Sequence, residues 1–226
     1  MKLDKNSLKL YAVTDRKWLN GSSLEEEVEK AVRAGVTMVQ LREKDMKFDE
    51  LVRLAQKIGD IVHKYHVPLI INDDIDAALA SGADGVHVGQ EDICASEARE
   101  KIGSSMILGV SAETAEMAIE AERCGADYIG AGAVFSTSTK NDAEKISLSE
   151  LKKICNSVSI PVVAIGGITE ENILELSGSG IDGVAVVSAI FAKDDTAASA
   201  SKLLILAEEM LGNKWSYFPS VFPACF

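Results

Sequence analysis

Short apolar runs recur along the chain at Leu8 to Thr14, Met38 to Leu41, Pro68 to Ile71, Gly85 to Val88, Met106 to Val110, Tyr128 to Ala133, Pro161 to Ile165 and Gly183 to Val187. They predict eight strands. Between them, Leu24 to Ala34, Phe48 to Lys64, Ala112 to Arg123 and Ser147 to Asn156 carry the wider apolar period of helices. The first helix has the clearest start, Ser22-Ser23-Leu24-Glu25-Glu26, where a serine hydroxyl and a glutamate three residues on can satisfy each other's free amides, and Gly35 marks its stop. Small-residue turns lead into strands at Ala34-Gly35-Val36, Ser81-Gly82-Ala83-Asp84-Gly85, Cys124-Gly125-Ala126-Asp127 and Ser179-Gly180-Ile181-Asp182-Gly183, as if one βα unit were reused. Strands alternating with helices need parallel pairing and right-handed crossovers, so eight units fit a single (β/α)8 TIM barrel of the α/β class. An open doubly wound sheet is the alternative.

No Pro-rich or Ser-rich linker divides the chain, and residues 1–212 read as one barrel domain. The tail, residues 213–226, stands outside the pattern. It holds Trp215, Tyr217, Phe218, Phe222 and Phe226, and Pro219 and Pro223 forbid a continuing helix. Capping the barrel, joining a dimer contact and staying disordered are all open to it.

Composition narrows the class. With 226 residues and 47% hydrophobic content the chain can bury a large core. A formal charge of −12 argues against a nucleic-acid surface while leaving room for a local Lys/Arg cluster at a phosphate site. The expected partners are small anions, with a homo-oligomer left open. Cys94, Cys124, Cys155 and Cys225 are scattered without a Cys-x-x-Cys pair, and the N-terminus is not signal-like, so a reducing cytoplasm is expected and a disulfide framework or zinc site is not. No apolar run approaches the ~20 residues that span a bilayer, so no membrane role is expected.

In a parallel barrel the reacting groups come from the carboxyl ends of strands and the loops after them. Gln40, Arg42, Glu43 and Lys44 follow the second run; Asn72 and Asp73 the third; Gln90 and Asp92 the fourth; Ser111 the fifth; Thr137, Ser138, Thr139 and Lys140 the sixth; Gly166-Gly167 and Val187-Ser188 the last two. Strand alternation would send Arg42 and Lys44 to one face, suited to a polyanion such as pyrophosphate, with Lys140 closing it from another loop. Taken alone, the Arg-Glu-Lys run also reads as a solvated charge run. Asp73 and Asp92 fit Mg²⁺, a hard ion that takes few protein carboxylates and completes its shell with phosphate oxygens and water. Each acid taken singly also fits a helix cap. Gly166-Gly167 and Val187-Ser188 can bring backbone amides to a phosphate, and Thr137-Ser138-Thr139 offers three hydroxyls or an ordinary polar loop. His87, inside an apolar run, reads as a packed interior residue, and His63 and His66 as helix-end caps. No cysteine has a histidine partner at a recognisable spacing, which speaks against thiol catalysis.

Over nearly its whole length up to Leu211 the chain resembles the thiamine phosphate synthase family. The resemblance rests on Leu10-Tyr11-Ala12-Val13-Thr14-Asp15, Gln40-Leu41-Arg42-Glu43-Lys44, Ile71-Asn72-Asp73, His87-Val88-Gly89-Gln90-Glu91-Asp92, Gly109-Val110-Ser111, Thr137-Ser138-Thr139-Lys140, Ala164-Ile165-Gly166-Gly167-Ile168 and Val186-Val187-Ser188, in family order. It implies a transferase that joins a hydroxymethylpyrimidine diphosphate to a thiazole phosphate, simple or carboxylated, and releases pyrophosphate with Mg²⁺ bound. By the same resemblance Gln40, Leu41, Arg42, Glu43, Lys44, Asn72, Ser111 and Lys140 hold the pyrimidine diphosphate, with Arg42, Lys44, Ser111 and Lys140 at the chemistry. Asp73 and Asp92 hold the metal, and Thr137, Ser138, Thr139, Gly167, Val187 and Ser188 the thiazole phosphate. The loop from Thr137 to Glu144 is the expected lid. The chain departs from the family where Thr-His often follows the serine, here Ala112-Glu113, and where proline often precedes Thr137, here Ser136.

Other readings use the same residues differently. A thiazole tautomerase shares the opening strand and the phosphate end but has no use for Arg42, Lys44, Asp73, Asp92 and Lys140 together. A sugar-phosphate epimerase generally needs histidine metal ligands. A sensor of thiamine precursors would bind without forming product.

Overall fold

Every predicted run overlaps a strand, with β3 and β5 running one and two residues further: β1 (Leu10–Val13), β2 (Met38–Leu41), β3 (Leu69–Asn72), β4 (Gly85–Val88), β5 (Ile107–Ala112), β6 (Tyr128–Ala131), β7 (Val162–Ile165) and β8 (Gly183–Val186). In the computed structural model, which describes residues 3–19, 21–89, 94–137 and 145–212, these strands pair in parallel in chain order. Strand β8 pairs back to β1 through Tyr11 and Ala185, so the sheet closes into a (β/α)8 barrel and the open sheet is excluded. The helices are α1 (Leu24–Arg33), α2 (Phe48–Val62), α3 (Ile75–Ser81), α4 (Ala95–Ile102), α5 (Ala115–Arg123), α6 (Leu148–Ser157), α7 (Ser188–Phe191) and α8 (Thr196–Met210). After β7 a short 3-10 turn, Ile173–Leu176, takes the place of a helix. The 213–226 tail lies outside the described residues.

Local chemistry sets the boundaries. Ser23 Oγ accepts from the Glu26 amide and Glu26 Oε2 accepts from the Ser23 amide, both at 3.2 Å, the predicted capping box. Gly35 follows at φ +108°, a left-handed turn that a side chain would strain. Helix α5 starts three residues later than its apolar pattern suggests. Ala112 completes β5, and Thr114 accepts from the Met117 amide at 3.3 Å to cap the helix. His63 ends α2 but does not cap it with its ring, which meets Asp84 Oδ2 at 2.7 Å.

Alternation along the strands divides the apolar residues into two cores. Tyr11, Val13, Met38, Ile70, Ile107, Tyr128, Val163 and Ala185 fill the barrel, while Leu10, Ala12, Val39, Leu41, Ile71, Val86 and Val88 pack outward against the helices. Among the described residues no helix is long and apolar enough to cross a membrane.

The repeated small-residue turns have a structural meaning that spans two βα units. The residue just before each even strand bonds reciprocally to the residue at or near the start of the preceding odd strand. Thr37 donates its amide to the Leu10 carbonyl and its hydroxyl accepts from the Leu10 amide, both at 2.9 Å. Asp84 does the same with Leu69 (2.9 and 2.8 Å), Asp127 with Leu108 (2.7 and 2.8 Å) and Asp182 with Val162 (2.7 and 2.9 Å). These four clamps lie at the amino end of the barrel. They fix strand register at the face opposite the one where a parallel barrel places its chemistry.

Candidate active site

At the carboxyl end, half of the barrel gathers the charged and amide side chains. Asn72 is the last residue of β3, and Asp73 follows it with φ +63°, a left-handed conformation that Asp tolerates better than most residues. The Asp73 amide donates to the His87 carbonyl at 2.8 Å, tying this turn to β4. Helix α3 is capped by the next residue, since Asp74 Oδ1 accepts from the Ala77 amide at 2.8 Å. Asp73 is therefore not the helix cap, because that cap is already made. Its carboxylate instead accepts from Asn72 Nδ2.

Strand β2 ends at Leu41, so Arg42, Glu43 and Lys44 belong to the loop after it, and strand alternation does not align their side chains as predicted. The loop is held from below by Thr14, which is fully buried and whose Oγ1 accepts from the Arg42 amide at 3.0 Å. Glu43 pairs with Arg16 at 2.7 Å; burial pushes its carboxyl above the usual range, and the Arg16 guanidinium opposes that rise. Among the described residues neither Arg42 nor Lys44 forms a salt bridge, and Lys44 is exposed. Two cations at a strand end without a paired carboxylate suit an anionic ligand. Leu41 packs its side chain outward between sheet and helices, which leaves its main chain for any ligand contact. Gln40 points inward and is 5% exposed.

The other half is built from turns. Gly166 and Gly167 have φ +100° and +63°, and a Cβ on either would collide with the loop after β6, at Ala133 and at Phe135–Ser136 respectively. That loop is stitched down by Phe135 N to Gly166 O at 3.0 Å and Val134 N to Ile165 O at 3.0 Å. Thr137 therefore leaves from beside the Gly-Gly turn, and Val187-Ser188 follows the neighbouring strand β8. Asn172 Nδ2 braces the turn through the Gly167 carbonyl at 2.9 Å. Asp92, Ser138, Thr139 and Lys140, with most of the expected lid, lie outside the described residues.

A family model described as thiamine monophosphate synthase matches residues 10–190. The chain belongs to that family. It is 55% identical over 195 residues, 86% of this chain and 93% of the other, to a thiamine-phosphate synthase of Ruminiclostridium cellulolyticum. It is 50% identical over 194 residues to one of Clostridium beijerinckii, with 86% and 93% covered. Among solved structures it resembles a thiamine phosphate pyrophosphorylase from Pyrococcus furiosus, at TM-score 0.85 and 40% identity over 92% of this chain and 99% of that one. A 3-hexulose-6-phosphate synthase at 18% identity and TM-score 0.65 shares the fold alone. Membership of the thiamine monophosphate synthase family makes this chain an enzyme, a transferase of thiamine biosynthesis.

Some of this family member's polar groups near the site carry no local sequence signal. Tyr11 and Tyr128 are 117 positions apart, yet their hydroxyls meet at 2.9 Å inside the barrel. His87 bridges Tyr128 and Ser111, at 3.0 Å on each ring nitrogen. Interior position on alternate strands was the available clue, since Tyr11, Gln40, His87, Ser111 and Tyr128 all fall on the inward parity.

Proposed function

We propose that the chain joins a 4-amino-2-methyl-5-hydroxymethylpyrimidine diphosphate to a thiazole phosphate, simple or carboxylated, by dissociative substitution. The C–O bond to the diphosphate breaks first and its electron pair leaves with pyrophosphate. The thiazole nitrogen then supplies the pair for the new C–N bond. The observation that carries this reading is Asp73, a carboxylate at the end of β3 that the adjacent helix does not use as its cap, beside a loop with two cations free of salt bridges among the described residues.

Arg42, Lys44 and Lys140, with Asn72 and the Gln40–Lys44 backbone, bind and orient the diphosphate. Ser111 faces the pyrimidine. Thr137, Ser138, Thr139, Gly167, Val187 and Ser188 hold the thiazole phosphate across the barrel mouth. The donor chemistry also fits Mg²⁺. Among the described residues no three His, Cys, Asp or Glu side chains cluster, but this ion needs only Asp73 and Asp92 when phosphate oxygens and water supply the rest. Bound there, it would neutralise charge developing on the departing pyrophosphate. Preorganised cations suffice for such a leaving group, so no general base is required. Cytoplasmic location and small-molecule partners, with neither nucleic acid nor membrane, complete the reading, and self-association is compatible with it.

The test is pyrophosphate release from purified protein, with each substrate and Mg²⁺ omitted in turn. Release that requires all three is expected. Binding of thiazole phosphate without any release would point instead to a tautomerase or a sensor.

A further inference from the structure

The loop that carries Arg42 and Lys44 is held by the loop after β1. Among the described residues, the hydrogen bonds and ion pairs of residues 42–46 all run there. The Thr14 amide donates to the Gln40 carbonyl at 2.9 Å, and Thr14 Oγ1 accepts from the Arg42 amide at 3.0 Å. One residue thus grips the main chain on both sides of Leu41, where β2 ends. Two positions further on, Arg16 Nε donates to Glu43 Oε1 at 2.7 Å.

Thr37 makes the same pair of bonds to Leu10 at the opposite end of the β1–β2 pair. There the clamp fixes where the strands begin. At Thr14 it fixes where a loop leaves the barrel. The Thr14 side chain is fully buried, so removing its oxygen would leave the Arg42 amide without its acceptor and with no water to replace it.

The anchor is itself fixed. Asp15 Oδ1 accepts from the Lys17 amide at 3.1 Å and Oδ2 meets Lys17 Nζ at 3.3 Å, which closes the short 3-10 turn Arg16–Trp18. Trp18 packs against the outer core, and Lys17 Nζ stands 4.9 Å from the centroid of its ring.

Charge gives the second bond its meaning. Glu43 lies between Arg42 and Lys44 in the chain, and a carboxylate there could neutralise either one. Its side chain is 9% exposed and faces Arg16 instead. A cation from another loop therefore takes up this carboxylate, and neither Arg42 nor Lys44 forms a salt bridge among the described residues.

We infer that Thr14 and Arg16 are positioning residues for the anion site: Thr14 sets the path of the Arg42–Lys44 loop through the Arg42 amide, and Arg16 holds Glu43 away from the two cations. This rests on the proposed function, in which Arg42 and Lys44 receive the diphosphate. Neither Thr14 nor Arg16 is assigned a contact with substrate. Both act through residues 42–44.

Binding tests this without turnover. Inorganic pyrophosphate is titrated with Mg²⁺ into parent and variants by calorimetry. Thr14→Val keeps the side-chain shape and loses the acceptor. Its Kd should weaken about tenfold, on the order of one hydrogen bond, and the KM for pyrimidine diphosphate should rise in step. Thiazole phosphate should bind as in the parent, an outcome that a general loss of rigidity would not give. Thr14→Ser keeps the hydroxyl and should stay within roughly threefold. Arg16→Met should weaken pyrophosphate binding about fivefold, and adding Glu43→Gln should return most of that loss, because no carboxylate then remains to claim the cations. A folded Thr14→Val with parental pyrophosphate affinity overturns the inference, as does a Thr14→Ser that is equally weak or an Arg16→Met that Glu43→Gln does not repair. Should Thr14→Val fail to fold, the Arg16 variants, altered at an exposed position, decide. A parent that does not bind pyrophosphate overturns both the inference and the functional reading. A parent that binds it but forms no product faults the functional reading alone.

Discussion

Aspartates at the two ends of the barrel have opposite surroundings. At the amino end Asp84, Asp127 and Asp182 each accept from a strand amide; Asp127 also faces Arg99 at 2.6 Å and Asp182 Lys5 at 2.5 Å, while Asp84 Oδ2 meets the His63 ring at 2.7 Å. At the carboxyl end Asp73 stands in a left-handed turn with its helix cap already supplied by Asp74, and Arg42 and Lys44 lack salt bridges among the described residues. The amino-end acids brace the starts of strands, whereas Asp73 caps no helix and stands beside a loop that carries two cations. Acids bonded to strand amides fix register at one end; under the proposed function, the groups at the other end serve a ligand.

The sharpest way to break this comparison is to remove a charge from each end. Asp73→Asn keeps the left-handed turn, so kcat should fall by roughly 10²–10⁴ while the thermal midpoint stays put, measured by pyrophosphate release and calorimetry. Asp127→Ala should do the reverse. The Leu108 amide loses its acceptor and Arg99 its carboxylate partner, though it keeps its bonds to backbone carbonyls, for about 2–3 kcal/mol of stability in denaturant titration with kcat retained. Gly109→Ala should sit between, costing about 1–3 kcal/mol by overpacking Tyr128 and His87 inside the barrel.

The smallest effect concerns Glu27, which joins α1 to α8. Burial raises its carboxyl, but bonds from Lys30 at 2.7 Å and from Thr196 outweigh that, and the net pKa lies below its ordinary value of 4.5. A depressed carboxylate stabilises the fold above its unfolded pKa, and that stability is lost as pH falls through the folded one. Glu27→Gln should therefore flatten the acid limb of a stability–pH curve below about pH 4.5 and leave the neutral region's slope unchanged.

The strands were readable because a strand buried on both faces is a short apolar run with no other local explanation. Helix ends were less so: Thr114 moves the start of α5, and that depends on a hydroxyl reaching Met117 rather than on any periodicity. The reused turns were visible as composition, but their pairing into two-unit clamps needed the hydrogen bonds between neighbouring strands. At the mouth, the candidate residues were legible by position after each run. Ruling out a cap at Asp73 needed the Asp74 bond, and the Arg42–Lys44 alternation lost its basis because β2 stops at Leu41. His87 was correctly placed inside the barrel as a packed residue. Its two hydrogen bonds were invisible because they join residues 24 and 41 positions away.

The central claim is that Asp73 serves the diphosphate and not the scaffold or the acceptor site. Titration of thiazole phosphate into Asp73→Asn by calorimetry tests it most directly. The account predicts a Kd within roughly twofold of the parent in a variant that no longer releases pyrophosphate at a measurable rate. Loss of thiazole phosphate binding in a folded Asp73→Asn protein would contradict it.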